Sequence, residues 1–284
     1  MTKLKFIAFI LFTALIASCS SDDNKDENES EESYFNFTYN NETKTVTTWE
    51  ALKQGDFIEV LGTSSQGLAI DFKFNIYGNL YQALTNPATA NSNFPHLEAS
   101  EIFTANTFTF TLENLNTTDK TVQVKYSGKV YENGYDLDSE SVNVSGSFKV
   151  SYKEIDPLIP NQGTSAKIDG KDWHGLSMST SNENGVKILN IDNDSEYNFG
   201  ITLPDDSETG AHTFTNDSEI KVAFQKYDLT TKEYVNYEVA GTITYTTISD
   251  FYVEGKFSLT ATHPTNNSKI VISNGSFKEG IPLF

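Results

Sequence analysis

Residues 141–152 read SVNVSGSFKVSY. Val142, Val144, Phe148, Val150 and Tyr152 are apolar, and Asn143, Ser145, Lys149 and Ser151 between them are polar. Successive side chains of a strand point to opposite faces, so this alternation sets one face on a core and the other in water. The same period recurs along the chain. Phe108, Phe110 and Leu112 alternate with Thr107, Thr109 and Thr111, and Ile70, Phe72, Phe74 and Ile76 with Asp71, Lys73 and Asn75. Tyr197, Phe199, Ile201 and Leu203 share a face, as do Phe251, Val253, Phe257, Leu259 and Ala261. One polar face per strand favours antiparallel sheets over a buried parallel one. The expected fold class is all-β: two tandem antiparallel β-sandwich or barrel-like domains after a disordered acidic tether.

Two domains follow from internal likeness. Val144–Phe148 matches Val253–Phe257 at an offset of 109, and Gly128 with Val130 matches Gly241 with Ile243 at 113. Phe108, Phe110 and Leu112 match Ile220, Val222 and Phe224 at 112, whereas the Ile70–Ile76 strand matches Tyr197–Leu203 at 127. Offsets that persist over successive features point to a duplicated unit. The jump between them reads as a long loop over Gly78–Ile102, and the first half shows no counterpart of the final strand Lys269–Phe277. Residues 34–154 are the first β domain and 164–284 the second. Pro157 and Pro160 stiffen the linker 155–163 between them. Gly146 and Gly255, inside strands, mark a bulge or a close backbone approach.

The N-terminus gives an address. Lys3 and Lys5 precede an uncharged run from Phe6 to Ile16, the layout of a secretory signal peptide over residues 1–18 and too short for a membrane span. Ile16-Ala17-Ser18-Cys19 resembles a bacterial lipobox, which implies lipid attachment at Cys19. A lone cysteine has no disulfide partner in the chain, and acylation accounts for it. Residues 19–33 carry seven acids against Lys25 and no apolar side chain beyond the cysteine, so they read as a disordered tether. Cys19 followed by Ser-Ser-Asp-Asp-Asn resembles the export signal of Bacteroidota surface lipoproteins. That likeness implies an outer-membrane protein facing outward, with an inward-facing one as the alternative. The second half, with Ala166-Lys167-Ile168-Asp169-Gly170, Val253-Glu254-Gly255-Lys256-Phe257 and Ile272-Ser273-Asn274-Gly275-Ser276-Phe277, resembles an uncharacterised β-sandwich-like domain of such lipoproteins. Its motifs are structural and carry no activity across.

Catalytic signals are missing. His96, His174, His212 and His263 have no metal-ligand spacing, and there is no serine elbow and no phosphate loop. No catalytic, cofactor or metal residue is assigned. Asp192-Asn193-Asp194-Ser195-Glu196 spaces oxygens as a calcium loop does, but Tyr197 and Leu203 stand where an EF-hand needs Gly and Glu. This stretch and Asp136–Glu140 read as solvated turns. A formal charge of −19 excludes nucleic acid as a partner. The 20 Phe and 14 Tyr fall mostly on apolar faces. Trp49, near a strand end, and Trp173, after the Asp169-Gly170 turn, are the candidate ligand platforms. The expected function is non-catalytic: a membrane-anchored protein whose tandem β modules bind a glycan or an envelope protein. The alternatives are a structural envelope protein and a carboxylate-dependent glycan hydrolase, which needs two acids in one cleft.

Overall fold

A computed structural model describes residues 32–89, 92–183 and 185–281, without the side chains of Met178 and Glu183. Cys19 and nearly all of the acidic tether lie outside the described residues. From Ser33 onward the chain forms one compact unit built of strands.

The first half holds β1 (Tyr34–Tyr39), β2 (Glu42–Gln54), β3 (Phe57–Ser64), β4 (Leu68–Asn75), β5 (Leu80–Pro87), β6 (Leu97–Glu98), β7 (Phe108–Asn116), β8 (Thr121–Tyr131), β9 (Ser141–Ser151) and β10 (Lys153–Ile155). Strands β1 to β6, β8 and β9 pair in a ring, because β1 bonds to both β2 and β9. The result is a closed eight-stranded barrel, a size whose interior is just wide enough for side chains to fill. Phe37, Phe72, Phe74, Tyr126 and Phe148 are buried there, with Phe72 and Tyr126 centroids 4.5 Å apart. Strand β7 lies on the edge of β8, and β10 runs parallel to β2, a departure from the expected antiparallel rule.

The second half holds β11 (Gly163–Ile168), β12 (Lys171–Glu183), β13 (Val186–Asp192), β14 (Tyr197–Pro204), β15 (Gly210–Thr215), β16 (Val222–Asp228), β17 (Glu233–Asn236), β18 (Glu238–Ile248), β19 (Tyr252–Thr262) and β20 (Lys269–Gly280). These form one curled sheet, ordered β15-β18-β19-β20-β11-β12-β13-β14-β16-β17. Its ends do not pair with each other, so the half-barrel stays open. Phe199, Phe214, Phe224, Tyr245 and Phe277 pack inside it.

The strand registers repeat, but not at the expected offsets. Phe35 pairs with Phe148 as Thr164 pairs with Phe277, and Val60 pairs with Phe72 as Leu189 pairs with Ile201. Every one of these matches lies 129 residues apart. The two-residue turns Asn40-Asn41 and Asp169-Gly170 match as well, all four residues having positive φ as a type I′ hairpin demands. Strand β9 therefore corresponds to β20, not β19, and both contain Gly-Ser-Phe-Lys (146–149 and 275–278). The first half does contain the final strand, as β9 closing on β1. Phe148 and Phe257 are both core, yet Phe148 matches Phe277 and Phe257 matches Tyr126. The expected loop over Gly78–Ile102 instead contains β5 and β6, which complete the barrel wall. Gly146 is a close approach: a Cβ there meets the Asn36 carbonyl and the Tyr126 ring.

A candidate binding cleft where the two halves meet

The acidic stretch 192–196 is not a solvated turn. It connects β13 to β14 and docks onto the first half. The Asp194 carboxylate accepts a hydrogen bond from Asn79 Nδ2 at 3.0 Å and another from the Leu80 amide, while Ala105 N donates to the Asp194 carbonyl at 2.8 Å. Within the stretch, Asn193 Oδ1 takes the Ser195 amide and hydroxyl. Burial raises the Asp194 carboxyl above its usual range, and the two hydrogen bonds pull it partly back. Burial likewise pushes Asp192 up to about 7, with the nearby Glu101 carboxylate adding to the shift. Among the described residues no group of three or more His, Cys, Asp or Glu is placed to hold a metal ion.

On another side of the junction, the rings of Tyr77 and His174 stack in parallel, centroids 3.6 Å apart and 5° between planes. Tyr77 follows β4, and its hydroxyl donates to Asp56 Oδ2 at 3.3 Å. The side chain is 52% exposed, so the ring presents an open surface. Partial burial lowers the pKa of His174, favouring the neutral ring that stacks without desolvating a charge, although Asp172 and Asp56 oppose that shift. Beside this pair opens a cleft of about 280 Å³, lined by Asn75, Asn161, Gln162, Thr164 and Ser276 among others. Amides and hydroxyls of this kind donate and accept hydrogen bonds without charge.

Behind the residues that line the cleft lies a polar substitution. Glu279 on β20 is 0% exposed and occupies the position matched by Val150 in the closed barrel. Its carboxylate accepts Thr164 Oγ1 at 2.7 Å and the Ser177 amide at 3.2 Å, and Gln162 also bonds to it. Thr164 in turn stands where the first half has Phe35, which stacks on Phe148 at 5.0 Å. Two apolar residues, Phe35 and Val150, have thus given way to a hydrogen-bonded polar pair, Thr164 and Glu279, and Thr164 and Gln162 line the cleft. Burial raises Glu279 to about 7. A local rule broken at one of two duplicated positions marks a functional or strained place.

The candidate platforms from sequence lie elsewhere. Trp173 is 5% exposed, with Nε1 donating to Ser195 Oγ at 3.1 Å and the ring 4.8 Å from Phe199. It is a core residue and has no free face for a ligand. Trp49 sits in the middle of β2 rather than near a strand end, half-buried against the first core. His174 lacks metal-ligand spacing, and nothing in sequence joins it to Tyr77. No family model, no curated protein and no solved structure matches the chain.

Proposed function

We propose that the protein is a non-catalytic, lipid-anchored envelope protein that binds a glycan in the cleft between its halves. The lipobox-like Ile16–Cys19 and the acidic tether support an outer-membrane anchor and a cell-surface position. The observation that carries the binding reading is the open Tyr77 ring, held flat by His174 beside a cleft of amides and hydroxyls. Flat rings pack on the apolar faces of sugars, and uncharged polar groups pair with their hydroxyls. The test is a screen of residues 33–284 against glycans and envelope proteins. Retention of a glycan supports the reading, and retention of proteins alone rejects it.

A second reading, a carboxylate-dependent glycan hydrolase, draws on Asp192, raised to about 7 in the presence of Glu101. It requires new reducing ends when a retained glycan is incubated with the protein, and their loss in Asp192→Asn.

A further inference from the structure

We infer that the cleft takes an unbranched run of about two or more sugars that carry no acid groups, and rejects uronate-bearing chains. This rests on the glycan-binding reading and concerns the same site.

Length comes first. The cleft beside Tyr77 does not end there. Phe57 and Gln162 line both it and a neighbouring space of about 310 Å³, which extends to Leu52, Lys73 and Leu176. On the other side Tyr81 lines both it and a small recess of about 60 Å³, which extends to Ser100, Asp192 and Asn198. The two larger compartments, near the lower end of the ordinary range of a small-molecule site, suit a short chain ligand better than one sugar. The fixed junction suits it too. Hydrogen bonds from Asn79 and Ala105 to Asp194 hold the two halves together beside the run, so its walls need little ordering on binding.

Charge decides the kind of sugar. Asp56, Glu59, Glu98, Glu101 and Asp192 line the three spaces. Among the described lining residues Lys73 is the one permanent cation, and its ammonium is 3.6 Å from Glu59. His174 is held toward its neutral form. No guanidinium or unopposed ammonium faces these spaces to receive a carboxylate, and the chain as a whole carries a formal charge of −19. Like charges brought together across an interface are strongly disfavoured. Neutral chains meet no such penalty, and amine-bearing chains gain from the same acids.

The probes are three sets of linear saccharides of about one to eight sugars, neutral gluco-, glucosamine- and galacturonate-based, arrayed and titrated against residues 33–284. The inference expects binding to rise at least about tenfold from one sugar to six, and uronate chains to bind at least about tenfold more weakly than neutral ones of equal length. Glu101→Gln combined with Asp192→Asn is expected to narrow that second gap by about threefold or more. Uronate chains as the tightest ligands, or a monosaccharide as tight as a hexasaccharide, overturn the inference and leave glycan binding standing. If no chain of any set binds, the glycan reading falls with it.

Discussion

The Asp194 carboxylate, in the second half, accepts a hydrogen bond from Asn79 Nδ2 of the first at 3.0 Å. The same carboxylate takes the Leu80 amide where β5 begins. One side chain therefore satisfies two donors of the opposite half in a partly buried place.

Removing that side chain leaves one buried and one partly buried donor unpaired. Asp194→Ala should cost about 1–3 kcal/mol, the usual penalty of an orphaned buried polar group. Asp194→Asn, which keeps one accepting oxygen, should cost less. Urea unfolding measures both, and equal stability of Asp194→Ala and the parent chain rejects the latch.

The raised carboxyls set the pH dependence. Asp192 and Glu279 titrate near 7 and Asp71 near 6 in the folded chain, against about 4 when unfolded. The folded state holds more protons across that window, so stability is full below it and falls as pH rises through it. Melting temperature should drop from pH 5 to pH 8. Glu279→Gln should flatten the slope, and a melting temperature that climbs over this range contradicts the assignment.

The matched strands make a paired prediction. Phe148 and Phe277 are both buried and occupy the same register position. Truncating either to Ala should cost about 3–5 kcal/mol, since transfer and cavity terms add. Trp173→Ala should cost a similar amount, and Trp49→Ala less, because only part of that ring is buried. Denaturant midpoints rank the four; a Trp49→Ala loss equal to that of Trp173→Ala contradicts the placement of the two rings.

The duplication also supplies a residue swap. Glu279→Val installs the side chain found at the matched position of the closed barrel. It removes a buried carboxyl, so the pH 8 melting temperature should hold or rise, while Gln162, Thr164 and Ser177 lose their common partner and glycan affinity falls. Glu279→Gln, which keeps an acceptor, should restore binding. Unchanged affinity in Glu279→Val removes the carboxylate from the site.

Much of the fold is legible in sequence, because half-buried strands print a period of two on the chain. The duplication is legible too, but its register is not. Alternating strands match one another at many offsets, and Val144–Phe148 slides onto Val253–Phe257 as readily as onto its true partner. The identical Gly-Ser-Phe-Lys at 146–149 and 275–278 was the discriminating signal. The cleft is less visible. Tyr77 and His174 meet only through tertiary packing, and Asp192–Glu196 looks like any exposed acidic turn until the first half covers it. Glu279 stands out only once Val150 is known to be its counterpart. Trp173 misled because a tryptophan after a hairpin turn serves a core as well as a platform.

The most direct measurement is the affinity of Tyr77→Ala for whichever glycan the parent chain retains, titrated beside its melting curve. Tyr77 is half exposed, so the substitution should leave the melting temperature nearly unchanged. The account predicts a loss of at least about tenfold, or roughly 1.4 kcal/mol, from removing the stacking face. Undiminished affinity at undiminished stability contradicts a glycan site on the Tyr77–His174 platform.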